Sequence, residues 1–147
     1  MFEAITYFLN DSTSYSDWIN SDNDSTSIDA VDTIFEWDMD KTEIIYPKWV
    51  LLLTSDDYMH EMISFSGDYA IEEKYTIRFH QLIDRQDKTS VALSEFMNDV
   101  VTVMEDLQTY KFIREWNIDK TTPFRNEIEA QTHLLVVDIN ITLFTRV

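Results

Sequence analysis

The sequence predicts an α+β domain, a sheet with one long helix packed across it, and three observations carry that expectation. From Lys74 to Asp84 apolar and polar side chains alternate, the period of a strand with one buried face. After a short polar turn at residues 85–90 the period changes to 3.6 and holds to Tyr110. A second alternating run spans Leu134 to Phe144.

Taken in order, Phe2, Ile5, Phe8 and Leu9 share one face of a short N-terminal helix. Residues 10–29 are rich in Ser, Thr, Asn and Asp, which compete for backbone hydrogen bonds and favour turns. They read as a polar, acidic surface arm or loop, with Trp18 docking it on the body or on a neighbouring subunit. Ala30 to Trp37 reads as a first strand and Ile44 to Leu53 as a second. Pro47 lacks an N–H and belongs at a strand start or a sheet edge. The continuous apolar run from Trp49 to Leu53 suggests burial on both faces.

Glu61 to Ser66 is a third strand, Gly67 marks a turn, and Tyr69 to Asp84 is a fourth strand with a bulge near Glu72 and Glu73. On it Tyr75, Ile77 and Phe79 share one face, and Thr76, Arg78 and His80 the other. Thr89 or Ser90 caps the long helix of about residues 90–110. Its apolar stripe is Leu93, Phe96, Met97, Val100, Val103, Met104 and Leu107, with Glu95, Asp99, Glu105 and Asp106 facing away. Residues 111–118 fit either a strand or a helical tail. Thr121 to Phe124 starts the return to the last strand, where Leu135, Val137, Ile139, Ile141 and Leu143 share a face.

A length of 147 residues suits one domain, 1–147, and 44% apolar with 14% aromatic residues supplies a core and argues against disorder. The absence of cysteine excludes disulfides and thiolate metal sites. The first ten residues lack a basic region and a cleavage site, so no signal peptide is expected. The apolar run from Trp49 to Leu53 is far shorter than the ~20 residues that cross a bilayer, so a soluble protein is expected. Formal net charge is −17, and ten acids but no Lys or Arg precede Lys41. Such a field repels phosphates and anionic lipid, so neither sequence-specific nucleic-acid binding nor membrane binding is expected.

Most chemistries fail on inventory. One glycine cannot build a phosphate-cradling loop. His60, His80 and His133 are isolated, and no nucleophile elbow marks a triad. Asp22 opens a stretch like a calcium loop, but Ser27 and Thr33 stand where that loop needs Gly and Glu. Asp56–Asp57 and Glu72–Glu73 are adjacent, which in a strand puts them on opposite faces. No catalytic, cofactor-binding or metal-binding residue is therefore expected, and no cofactor. Base stacking needs a basic groove, and the fourth strand offers only Lys74 and Arg78. Trp18, Trp37, Trp49 and Trp116 read better as core or interface anchors. In the alternating charges of residues 84–87, Asp87 lies near a positive helix N-terminus and Arg85 is free to pair with a neighbouring subunit.

Tyr46–Pro47 ahead of a strand, a strand ending in residues 82–87 followed at once by one long helix, the turn Thr122 to Phe124, and a final alternating strand form a pattern over about residues 31–147. In this pattern the chain resembles small virion proteins of tailed bacteriophages, above all tail-terminator-like neck, connector and tail-completion ring proteins, including ring proteins of crAss-like phages. The resemblance implies an α+β subunit with a mixed, mostly antiparallel sheet flanked by helices. It also implies a non-enzymatic homo-oligomeric ring, sixfold or twelvefold, around the DNA passage. Neighbours would be portal, adaptor or tail proteins of the virion, assembled in the host cytoplasm. Trp18, Trp37, Trp49, Arg85, Trp116 and Arg125 are the candidate ring-interface residues. Arg78, Arg85, Arg114 or Arg125 would meet the acidic arm of the next subunit. The acidic arm itself departs from the family's pattern. The rival expectation is an acidic DNA-mimic inhibitor of host DNA-binding or nuclease defence proteins, which fits the charge better than the strand-rich aromatic body. An unrecognised carboxylate enzyme would need a pocket with shifted pKa values.

Overall fold

The computed structural model describes residues 2–21, 27–36, 46–54, 61–65, 68–84, 89–109, 113–118, 124–129 and 132–146. Helices α1 (Phe2–Asp11) and α2 (Thr13–Asn20) lead through a 3-10 turn, Ala30–Thr33, into strand β1 (Ile34–Glu36). Strands β2 (Lys48–Thr54), β3 (Glu61–Phe65) and β4 (Asp68–Asp84) follow, then helix α3 (Thr89–Leu107). Strands β5 (Ile113–Ile118), β6 (Phe124–Glu129) and β7 (Thr132–Arg146) complete the described elements. The fold is α+β, with a mixed, mostly antiparallel sheet.

The sheet is built on β4 and β7, of 17 and 15 residues, against a usual strand of about 5–6. They pair antiparallel without a break from Ala70–Arg146 to Asp84–Thr132. Across the middle the order is β1-β2-β4-β7-β5, with β1 parallel to β2 and the other pairs antiparallel. β2 and β3 flank successive stretches of β4, while β5 and β6 flank successive stretches of β7.

One face of this sheet carries the core. Val50 and Leu52 of β2, Tyr75, Ile77, Phe79 and Ile83 of β4, and five alternate residues of β7 from Leu135 to Leu143 are buried there. Phe96, Val100, Val103, Met104 and Leu107 of α3 pack on them, as their 3.6-residue spacing requires. Ile5, Phe8 and Leu9 of α1 and Tyr15, Trp18 and Ile19 of α2 complete the layer. β2 is buried on both faces, since Trp49 and Leu51 are buried as well as Val50 and Leu52.

The largest departure from the expected layout is at residues 13–20, part of the predicted arm, which form α2. The Ser12 hydroxyl accepts the Tyr15 N–H as an N-cap, and Tyr15, Trp18 and Ile19 recur at i, i+3 and i+4 to give one apolar face. Ala30–Thr33 turns instead of extending, because the Asp32 N–H bonds the Asp29 carbonyl and Thr33 Oγ1 donates to the Ala30 carbonyl. β1 is thus three residues, and β2 starts one residue after Pro47. The register of β4 runs straight through Glu72 and Glu73, so the expected bulge is not there; irregularities fall in β5, between Ile113 and Glu115, and in β6, between Glu127 and Glu129. Residues 113–118, ambiguous in sequence, are a strand.

Candidate functional site

The sheet face opposite the helices has a different chemistry. Cross-strand register aligns Trp49, His80 and Val136 in one row, Leu51, Arg78 and Asp138 in the next, and Leu53, Thr76 and Asn140 in a third. The Trp49 indole stacks on the His80 imidazole, with centroids 4.7 Å apart and planes 6° from parallel. Arg78 donates twice to Asp138, Nε to Oδ1 at 2.7 Å and Nη2 to Oδ2 at 3.0 Å. This bidentate geometry fixes both orientation and register between β4 and β7. Asp138 is 4% exposed, so a low-dielectric setting strengthens the pair. The hydrogen bond to Asp138 holds the Arg78 guanidinium even more firmly charged than usual, outweighing the opposing effect of burial. Thr76 Oγ1 donates to Asn140 Oδ1 at 2.8 Å one row further on.

The helix layer is electrostatically one-sided. α1, α2 and α3 contain no Lys, Arg or His, and they carry Glu3, Asp11, Asp17, Glu95, Asp99, Glu105 and Asp106. Five of these are exposed, and Asp99 and Asp106 are half-buried. Asp106 was expected to face away from the body. It instead accepts the Ser12 hydroxyl, at 2.5 Å, and lies 3.4 Å from the Ser14 N–H, tying the start of α2 to the end of α3. The other end of α2 is held by Lys48, buried at the first residue of β2. Its ammonium donates to the Trp18 carbonyl at 3.1 Å and to Ser21 Oγ, a cation at the negative end of a helix. Tyr15, inside the same unit, bonds Thr33 Oγ1 through its hydroxyl at 2.7 Å, and burial pushes its pKa up despite that bond.

The sequence-predicted interface residues do not gather at one place. Trp18 is in the core of its own chain, 3% exposed, donating from Nε1 to Gln81 Oε1 at 3.1 Å and packed near Tyr15, Phe79 and Phe96. It docks α2 on the sheet, so the body is what this residue holds. Trp49 lies on the opposite face, and Trp116 is half-buried on β5, donating to Gln108 Oε1 at 2.9 Å. Arg125 is on β6, in register with Leu135. Trp37 and Arg85 lie outside the described residues. Arg78, one of the arginines expected to reach a neighbour, is engaged by Asp138 of the same chain.

Sequence reasoning passed over Asp138, Asn140, Ser12 and Lys48. Asp138 had a signal: it is the lone acid in the strongly apolar run from Leu134 to Leu143, and a buried strand needs a partner for it. Among the described residues no group of three or more His, Asp or Glu is placed to hold a metal ion. No described helix is long and apolar enough to cross a membrane. No protein-family model matches the chain, and no curated protein is similar to it.

Proposed function

We propose that the protein is a structural virion subunit of a tailed phage that forms a homo-oligomeric ring at the head–tail junction or in the tail, around the DNA passage. The observation that carries this reading is the order β4, α3, β5 to β7. A long strand hands over to one long helix packed across the sheet, and the chain then returns in antiparallel strands beside it. That is the arrangement which the resemblance to tail-terminator-like ring proteins leads one to expect. The base-free helix layer is compatible with it, because an acidic lining repels phosphates and lets DNA slide without sticking. Its neighbours would be portal, adaptor or tail proteins.

Negative-stain images of the purified protein test this reading. It expects closed particles with sixfold or twelvefold symmetry and an open centre, and a field of single small particles at every protein concentration opposes it. The same base-free layer also favours a second reading, an acidic DNA mimic. Tight binding to a DNA-binding enzyme, weakened steeply by salt and competed by duplex DNA, would favour that reading.

A further inference from the structure

The elements of the fold are not joined to one another in the same way. α1, of ten residues, and α2, of eight, are shorter than the ~12–15 residues at which an isolated helix becomes marginally stable in water, so both depend on docking. Neither has a basic residue in its last turn to meet the negative helix end, and α1 carries Asp11 there. α2 rests on α3 and on the 3-10 turn, and α1 rests on that turn and on α2. Within this N-terminal group the bonds run from end to end. The Ser12 N–H donates to the Leu9 carbonyl at 3.2 Å, joining α1 to α2, and the Tyr15 hydroxyl pairs with Thr33 Oγ1 at 2.7 Å. Asn20 bonds Ile28 in both directions, Nδ2 donating to its carbonyl at 3.2 Å and Oδ1 accepting its N–H at 2.8 Å. α1, α2 and residues 28–33 are thus tied to one another, and the group ends at Ile34, where β1 joins the sheet beside Val50.

Its attachment to the rest of the chain is of another kind. β2, β4 and β7 are joined by backbone ladders. The bonds from α2 to α3 and the sheet pass through side chains instead: Ser12 Oγ and the Ser14 N–H to Asp106, Trp18 Nε1 to Gln81, and Lys48 to the Trp18 carbonyl and Ser21 Oγ. Two of these contacts bring charge to the ends of α2. The Asp106 carboxylate meets its positive N-terminal end and the buried Lys48 ammonium its negative C-terminal end, each in the stabilising sense. Between these two points Trp18 lies against Phe79 of the sheet and Phe96 of α3.

We infer that α1, α2 and residues 28–33 form a latch that opens as one unit from a body made of the sheet and α3, with Asp106 and Lys48 as the charged catches on α2. A group bonded to itself along its length and to its surroundings by a few side chains is the kind of cooperative unit that opens below the free energy of global unfolding. Opening withdraws Tyr15, Trp18 and Ile19 and uncovers the apolar surface at Phe79 and Phe96. The latch therefore decides whether that surface is covered or presented. The inference goes beyond the ring reading and does not depend on it.

The chain has no cysteine, so single introduced thiols report opening cleanly. Ile19→Cys places one in the latch. Ile141→Cys places one in the body, where Ile141 is 1% exposed and lies in register between Tyr75 and Trp116. With a nitroaryl disulfide in native buffer, at one fixed protein concentration, Ile19→Cys should react at least roughly a hundredfold faster than Ile141→Cys. Arg78→Met weakens a pair that stays formed when the latch opens. It should speed Ile141→Cys about thirtyfold or more and leave the Ile19→Cys rate within about twofold. Asp106→Ala should speed Ile19→Cys about tenfold. Both thiols reacting at one rate, or both speeding equally with Arg78→Met, would mean one cooperative unit and overturn the latch. An unchanged Ile19→Cys rate with Asp106→Ala would overturn Asp106 as a catch. Where a cysteine variant does not fold, hydrogen exchange of the unaltered chain in rising urea decides. A smaller urea dependence for the amides of residues 13–20 than for those of β4 and β7 supports the latch, and an equal dependence overturns it.

Discussion

Replacing Arg78 by Met should cost about 2–3 kcal/mol and also removing Asp138 should return most of it. The magnitude follows from the geometry. Two donor–acceptor distances of 2.7 and 3.0 Å put the charge centres about 4 Å apart, where an effective dielectric of ~20 gives an attraction of about 4 kcal/mol. Arg78→Met strands a carboxylate in a setting where Asp138 is 4% exposed. Orphaning one partner of a fully buried pair costs ~3–5 kcal/mol. The value here is lower because 34% of the Arg78 side chain stays in water, which can enter to solvate Asp138. Arg78→Met with Asp138→Leu swaps the pair for apolar groups and should fall within about 1 kcal/mol of the unaltered protein. The assay is urea unfolding of all four chains at one fixed protein concentration, followed by tryptophan fluorescence, with the slope m unchanged. A cost below about 0.5 kcal/mol for Arg78→Met, or a double variant no more stable than the worse single, would refute the assignment of a buried, register-setting pair.

Other outcomes follow from the same contacts. Because burial raises the Tyr15 pKa above its unfolded value, the folded state holds that proton after the unfolded chain has lost it. Stability should thus be intact below pH ~10 and fall by about 1.4 kcal/mol per pH unit above it. Tyr15→Phe should lose about 1 kcal/mol at neutral pH and shed that alkaline slope, both read from urea midpoints across pH. Ser12→Ala removes the α2 cap and the bond to Asp106 together and should cost about 1–2 kcal/mol by thermal unfolding. Lys48→Met should speed amide hydrogen exchange in residues 13–20 with little change in the α3 amides, since the ammonium holds the C-terminal end of α2.

What the sequence disclosed depended on how one-sided each element is. α3, β4 and β7 were legible because each sends a regularly spaced set of apolar residues to the core, and the period of that set survives in the residue order. α2 was hidden by its length of eight residues and its Ser, Asp and Asn content, although Tyr15, Trp18 and Ile19 alone form its buried face. β5 was ambiguous for a geometric reason. Its irregularity between Ile113 and Glu115 changes the parity, so Ile113, Trp116 and Ile118 reach the same layer without simple alternation. The Arg78–Asp138 pair was invisible because register between distant strands is a tertiary property, and a slip of one residue between them would put the two groups on opposite faces. The same blindness left open whether Trp18 docks on the body or on a neighbouring subunit, since its burial depends on a helix whose docking partners, Gln81 and Lys48, are far away in sequence.

The native mass in solution decides whether the protein assembles into a closed ring. Light scattering at low and at high salt should give a discrete particle of six or twelve times the 17.5 kDa subunit, with the salt response set by the acidic and basic surfaces that meet. A 17.5 kDa monomer in both salts and at every concentration would contradict a self-assembling ring.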